Sequence, residues 1–298
     1  MTFRPGTLAD SYAVFKLFEQ TLADLSRRLG STRPTSWQDP AALARMWEER
    51  RPLYEHLART AEQFWVAERD GQMIGFARSI LRGGLRELTE IFVQPGQQSD
   101  GVGRELLARA FPVAGAARRL IIATSDLRAQ ALYLRAGVYP RFPIYYFWRH
   151  PEAVSVATDL TFEPMAASPE TLERLASLDE ALLEHRRDVD HAWLLAERQG
   201  YLYYRGSRPV GYGYLGIRNG PFALLDPADF PAVLAHAESQ AVLTGGEFGL
   251  EVPVVNRTAV DYLLARGCRL DGFMAIAMSD APFGQFENYI VTSPPFFL

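Results

Sequence analysis

Two glycines at the mouth of a helix, and a tyrosine on the next helix, are the residues whose spacing points to chemistry. The run Glu87-Leu88-Thr89-Glu90-Ile91-Phe92-Val93-Gln94-Pro95 continues as Gly96-Gln97-Gln98-Ser99-Asp100-Gly101-Val102-Gly103-Arg104-Glu105-Leu106-Leu107 and reads as strand, loop, helix. With no side chain at Gly101 or Gly103, the backbone can approach a ligand closely, and the unpaired N–H groups of a first helical turn favour an anionic phosphate. A pyrophosphate fits such a bend, although Gly-x-Gly before a helix is also the pattern of an ordinary tight turn. No third glycine stands at dinucleotide-fingerprint spacing and no Gly-Lys-Ser/Thr follows, which argues against Rossmann and P-loop readings. Downstream, Ile121-Ile122-Ala123-Thr124-Ser125-Asp126 reads as a strand entering a second helix. Spacings of three and four put Asp126, Ala129 and Tyr133 on one face of it, with Leu127, Ala131 and Leu134 facing the other way into a core.

Taken together, Gln98-x-x-Gly101-x-Gly103 and Asp126-x-x-Ala129-x-x-Leu132-Tyr133-x-x-x-Gly137 resemble the acetyl-CoA loop and the following helix of the GNAT superfamily of N-acetyltransferases. The resemblance covers about residues 1–150. It implies acetyl-CoA as cosubstrate and no metal. Backbone groups of Ile91, Phe92 and Val93, at the end of a strand that splays from its neighbour in that family, would bind the pantetheine arm. N–H groups of Gln98, Ser99, Asp100, Gly101, Val102, Gly103 and Arg104 would hold the pyrophosphate, and the face carrying Asp126 and Ala129 would meet the cofactor. Tyr133 would protonate the leaving thiolate. Asp126 stands where the family often has Asn, an anion in place of a donor. Gln98 replaces the commoner Arg, which removes a charge but keeps the backbone cradle.

The chemistry of acetyl transfer accounts for these residue types. A lysine-like amine, with a pKa of ~10.4, is mostly an ammonium near neutral pH and must lose a proton before it attacks a thioester. Glu90, with Glu87 as the weaker candidate, is a carboxylate on the strand beside the expected thioester and could take that proton directly or through water. The alternative is a solvated strand residue or an ion-pair partner of Arg78 or Arg86. The expected function is therefore N-acetyltransfer from acetyl-CoA to a primary amine by direct attack, with Tyr133 as acid and Glu90 as base. A non-catalytic acyl-CoA-binding sensor or scaffold is the alternative.

These residues sit in a duplicated framework. Thr2-Phe3-Arg4-Pro5 recurs as Thr161-Phe162-Glu163-Pro164, and the hairpin Phe64 to Ala77 with its Asp70-Gly71 turn recurs from Tyr201 to Gly213. Ala129-Gln130-Ala131-Leu132-Tyr133-Leu134-Arg135-Ala136-Gly137 lines up with Ala259-Val260-Asp261-Tyr262-Leu263-Leu264-Ala265-Arg266-Gly267, both short helices closed by glycine. The order of elements gives an α/β fold: two GNAT-like domains, each a mixed, mostly antiparallel sheet flanked by helices, over 1–152 and 158–298. Asp39 and Pro40 start a helix in the longer first half, and Pro52 is expected to interrupt it. In the second half, Pro221-Phe222-Ala223-Leu224-Leu225-Asp226-Pro227 replaces the loop strand with no glycine after it, so this copy is expected to be degenerate and to wall the acceptor site or an oligomer interface.

Composition narrows the partners. In 298 residues, Lys and Arg (31) are outnumbered by Asp and Glu (35), which gives a net charge of -4 and no basic surface for generic nucleic-acid binding. Cys268 is the single cysteine, so neither an internal disulfide nor a Cys-based metal site is expected, and His185 and His191 are six apart, a poor metal spacing for one helix. No apolar run approaches ~20 residues. The expectation is a cytoplasmic protein acting on an amine-bearing small molecule or peptide, with no nucleic-acid or membrane partner and a homodimer as the candidate assembly.

Overall fold

The computed structural model describes residues 1–28, 38–98, 101–216 and 218–292. Contacts divide the chain into two compact units, Met1–Ile121 and Ile122–Leu298. No helix among the described residues is long and apolar enough to cross a membrane.

The first unit contains β1 (Thr2–Pro5), α1 (Ser11–Arg28), α2 (Pro40–Thr60), β2 (Gln63–Arg69), β3 (Gln72–Arg82), β4 (Leu85–Val93), α3 (Val102–Ala110) and the start of β5 (Arg118–Thr124). The strands lie in the order β1-β2-β3-β4-β5. Two tight turns make the central meander: Asp70 and Gly71 both have positive φ, as do Gly83 and Gly84, the geometry of two-residue hairpin loops that match strand twist. Among the pairings described within this unit, β4 and β5 alone run parallel, the connection between them passing through α3. Gly75 of β3 faces α3, where a Cβ would lie 3.0 Å from Leu106 and from the Phe92 carbonyl. The next residue, Phe76, turns to the opposite face and meets Phe92, whose ring packs edge-on against Phe18 of α1 at 5.0 Å. The period of two therefore places α1 and α3 on opposite faces of this sheet.

Helix α2 departs from expectation. Asp39 caps it as anticipated, accepting from the N–H groups of Ala41 at 2.9 Å and Ala42 at 3.2 Å, but the helix continues through Pro52 to Thr60. A proline inside a helix costs about 3 kcal/mol. Burial of Tyr54 and Leu57 immediately after it offsets that cost, because each removes a large apolar surface from water.

The second unit continues with α4 (Leu127–Arg135), β6 (Tyr139–Arg149), β7 (Leu160–Pro164), α5 (Pro169–Leu183), α6 (Asp188–Glu197), β8 (Gln199–Arg205), β9 (Arg208–Leu215), β10 (Phe222–Leu224), α7 (Phe230–Thr244), β11 (Phe248–Pro253), α8 (Arg257–Ala265), β12 (Arg269–Ser279) and β13 (Tyr289–Ile290). One ladder is ordered β12-β6-β11 and the other β13-β10-β9-β8-β7. Strand β6 belongs to the first copy by sequence, yet it pairs antiparallel with β11 and β12, so contacts divide the chain earlier than the repeat does.

The repeat extends to side-chain detail. Phe3 pairs with Ala67 and Pro5 with Trp65; at matching places Phe162 pairs with Tyr203 and Pro164 with Tyr201. Arg109 of α3 lies over Phe3 at 5.2 Å and Trp65 at 4.9 Å, while His236 of α7 lies between Phe162 at 4.5 Å and Tyr201 at 4.7 Å. Gly137 and Gly267, both with positive φ, close α4 and α8. Each copy is thus a mixed α/β layer arrangement in which antiparallel pairing dominates.

Candidate active site

In the first unit the site starts where a ladder stops. Strand β4 pairs with β5 from Leu85↔Arg118 to Leu88↔Ile121, and there the parallel register ends although both strands continue. From Thr89 to Val93 the described residues give β4 a ladder partner on its β3 side alone, with Ala77↔Ile91, Phe76↔Phe92 and Gly75↔Val93. Because the Gln94 N–H bonds the Ile74 carbonyl and ladder bonds alternate, Phe92 turns its main-chain groups to Phe76, and those of Ile91 and Val93 face the other side, an edge at which an extended amide-bearing chain could bond as a strand would. Gln98 folds back across this end and donates from Nε2 to the Val93 carbonyl at 3.2 Å. Its side chain thus braces the loop.

The loop leads into α3 through Gly101, whose φ of 79° is left-handed. A side chain there would be strained, which is the physical reason for glycine at this position. Glu105 N–H donates to the Gly101 carbonyl at 3.0 Å, so the N–H groups of Val102, Gly103 and Arg104 precede the first bond of the helix and have no carbonyl within it to bond. Val102, Leu106, Leu107 and Ala110 are buried against the sheet, whereas the Arg104 side chain is exposed. The donors suit an anion: three consecutive amides and a helix N-terminus. Coenzyme A matches both parts, with a diphosphate for the amides and an amide-bearing arm for the β4 edge. Ser99 and Asp100 lie outside the described residues.

Glu90 is fully buried in an ion pair. Arg78, directly opposite it on β3, donates from Nε to Glu90 Oε2 at 2.6 Å and from Nη1 to the Tyr54 carbonyl at 3.0 Å. Its guanidinium lies over the rings of Phe64 at 5.2 Å and Tyr54 at 5.5 Å. Burial pushes the Glu90 carboxyl above its ordinary range, and the Arg78 charge and hydrogen bond oppose that rise without cancelling it. Of the two candidate partners, Arg78 takes this place; Arg86 instead pairs with Glu62 through Nε at 2.6 Å. Glu87 is buried in the β4–β5 ladder opposite Leu120.

The juxtaposition of Arg78 and Glu90 depends on a β-bulge. Ser79 pairs with Leu88 and Arg78 with Glu90, which leaves Thr89 as the extra residue, its hydroxyl donating to the Arg78 carbonyl at 3.1 Å. Unbulged pairing would set Arg78 against Thr89 and turn Glu90 to the other face. Neither the bulge nor the role of Arg78 has a signal in the sequence beyond an arginine and a glutamate on successive strands.

In the second unit, Asp126 is the N-cap of α4, accepting from the Arg128 N–H at 2.9 Å and from the Arg128 guanidinium at 3.2 Å. Its carboxylate is engaged in starting the helix. Ala129 is half-buried in the first turn, and Tyr133 is the buried residue of α4, 6% exposed. Leu127 and Leu134, expected in a core, are instead 78% and 41% exposed. The helix is anchored by Tyr133, so the leucines flanking that face point outward. Burial, reinforced by the nearby Asp126 charge, pushes the Tyr133 hydroxyl well above the ordinary phenol value.

The corresponding segment of the second copy is closed. Strand β10 pairs with β9 on one side and with β13 on the other, through Phe222↔Ile290 and Ala223↔Tyr289, and Asn288 Nδ2 donates to the Leu224 carbonyl at 2.7 Å. Asp226 caps the following turn and Asp229 receives Arg205 Nη2 at 2.7 Å. Asn256 caps α8 by accepting from Ala259 N–H at 3.1 Å. His185 lies in the turn after α5 and His191 in α6, so the two do not share a helix; His191 is buried against Asp179 and Tyr214. Among the described residues there is no group of three or more His, Cys, Asp and Glu that could hold a metal ion.

Known proteins resemble this chain in sequence over its first half and in fold over most of its length. Residues 23–138 match the family model described as Acetyltransferase (GNAT) family. A peptidyl-lysine N-acetyltransferase, YiaC of Escherichia coli (strain K12), is 36% identical over 73 residues, 24% of this chain and 48% of the relative, so the match spans about half the length of that protein. A putative acetyltransferase of Pyrococcus horikoshii shares the fold with a TM-score of 0.71 at 12% identity, over 97% of this chain and 92% of its own. A tandem GNAT protein from the clavulanic acid biosynthesis pathway does so with a TM-score of 0.60 at 14% identity, over 94% of this chain and 99% of its own. Residues 23–138 are thus a GNAT acetyltransferase domain by the family model, and the chain as a whole shares its fold with a putative acetyltransferase and with a tandem GNAT protein.

Proposed function

We propose that this chain transfers the acetyl group of acetyl-CoA to a primary amine, with a lysine side chain of a peptide as the first acceptor class to try. The supporting observation is the β4 edge at Ile91 and Val93, where the described residues supply no strand beyond the end of the β5 ladder, together with the amides of Val102, Gly103 and Arg104 that open α3. The relative's activity on peptidyl lysine supports the choice of acceptor.

Two protons must leave the nitrogen for each turnover. The ammonium gives the first to Glu90, and the free amine then forms the N–C bond to the acetyl carbonyl carbon. Collapse of the tetrahedral adduct breaks the C–S bond, and the thiolate takes a proton from the Tyr133 hydroxyl, which is refilled by the second nitrogen proton. Refilling is essential, because a phenol held above its ordinary pKa cannot hand a proton to a thiolate of pKa ~8.5 without one in return. The raised Glu90 pKa brings a carboxylate closer to the operating range of a base.

Burial of both Glu90 and Tyr133 favours a second reading, an acyl-CoA-binding sensor or scaffold without turnover. Thiol release from acetyl-CoA with a lysine peptide and a panel of small amines separates the two. Acetyl transfer requires release that falls about 100-fold or more in Tyr133→Phe with little change in KM for acetyl-CoA. Binding of coenzyme A with no thiol release from any acceptor establishes the sensor instead.

A further inference from the structure

The Arg78–Glu90 pair is asymmetric in a way that the proposed base role does not require. Arg78 reaches one oxygen only: Nε bonds Oε2 at 2.6 Å and Nη2 lies against the same atom. Glu90 Oε1, equally buried, has no hydrogen-bond partner among the described residues. An orphaned buried carboxylate oxygen is costly, and native structures seldom keep one without a use. The guanidinium is itself immobile, held by the Tyr54 carbonyl and packed against the Tyr54 and Phe64 rings, and the Thr89 bulge fixes its position opposite Glu90. The carboxylate therefore cannot rotate to exchange its oxygens without breaking a charge-assisted hydrogen bond in a dry environment.

We propose that Arg78 is a positioning residue for acetyl transfer: by pinning Oε2 it reserves Oε1 of Glu90 as the atom that receives the acceptor's proton through an intervening water. This rests on the acetyltransferase reading. The same guanidinium limits how far burial can raise the carboxyl, because its charge is what opposes desolvation. Tyr54 and Arg50 from α2 and Glu19 from α1 also face this region, with Arg50 Nη1 donating to Glu19 at 2.6 Å, so Glu90 has to be identified by subtraction.

The test compares the full-length protein with Arg78→Gln, Arg78→Lys and Glu90→Gln. The infrared carboxyl band that Glu90→Gln removes is followed against pH, alongside the pH profile of kcat/KM for a lysine peptide. Removing the cation leaves desolvation unopposed, so in Arg78→Gln both the band and the acid limb of the rate profile move up by about one pH unit or more, a ten-fold change in proton concentration. In Arg78→Lys a point charge without the fork restores the pKa in part, leaving a rise of roughly half a unit, while kcat remains depressed because the oxygens are no longer distinguished; KM for the peptide is unchanged in both. If Arg78→Gln loses its coenzyme A affinity through misfolding, the Arg78→Lys result decides. A band that moves while the limb stays overturns the proposal and leaves acetyl transfer standing with another base. Failure of either to move overturns control by Arg78. Absence of turnover in the unmodified protein overturns the acetyltransferase reading, and the proposal with it.

Discussion

Single residues at the candidate site and in the second unit take their chemistry from the buried groups they face. Tyr133 is on the motif-bearing helix and buried, and Glu90 is on the strand that splays, but the arginine opposite Glu90 follows from a bulge that no residue pattern announces. The same limit applies to His191. Its spacing from His185 argues against a metal but carries no sign of its partners; the folded chain makes it part of a buried network: Asp179 Oδ2 accepts from Arg187 Nε at 2.7 Å and meets His191 Nε2 at 2.8 Å, and the hydroxyl of Tyr212 donates to Oδ1. Burial alone would raise the Asp179 carboxyl, but the charges and hydrogen bonds of Arg187 and His191 outweigh it and hold the group well below the usual carboxylate range. A depressed native pKa stabilises the fold above the unfolded pKa of ~3.9, and the contribution is lost as pH falls through the native value. Asp179→Asn, which leaves the Arg187 charge buried without its counterion, should therefore destabilise by about 3 kcal/mol or more at pH 7. Urea unfolding at pH 7 and again below pH 4 checks the sign: the deficit should shrink in acid, and a deficit independent of pH would show that packing, not charge, is what the aspartate supplies.

Elements were read more securely than residues because period and turn chemistry are local. The Asp-Gly hairpin, the Asp39 cap and the glycine closures of α4 and α8 each follow from backbone geometry that few residues tolerate. Where the reading failed, a tertiary contact overrode a local rule: α2 passes through Pro52 because Tyr54 and Leu57 are buried beyond it. Gly101 shows the opposite case, a local rule with a functional consequence. At φ 79° a Cβ costs about 1–2 kcal/mol, and relaxing that strain must tilt the first turn of α3 and the amides of Val102, Gly103 and Arg104. Gly101→Ala should thus lower stability by that amount and weaken coenzyme A binding roughly ten-fold, the equivalent of ~1.4 kcal/mol. Thermal unfolding and calorimetric titration measure the two separately. A loss of stability with unchanged affinity would remove the phosphate from this helix end.

For the whole molecule, duplication is visible in short matching strings, but what each copy retains depends on edges. In the first copy the described residues give β4 no strand partner on one side from Thr89 onward; the second covers the equivalent strand, β10, with β13, a two-residue strand from far along the chain that no local pattern foreshadows. Main-chain groups that would meet a pantetheine arm are already bonded in the second copy, and the segment after β10 holds Pro227 and Pro231 in place of glycines. Pairing of this kind is an intramolecular competitor at very high effective concentration, so added ligand cannot displace it at ordinary concentrations. Calorimetric titration of the full chain with coenzyme A should accordingly give a stoichiometry of about one. Gly101→Val, which adds a branched side chain at the left-handed position, should abolish that single event instead of leaving a weaker one behind. Two equivalents bound by the unmodified chain, or a residual equivalent in the variant, would mean that β13 detaches readily and that the second copy still serves as a cofactor site.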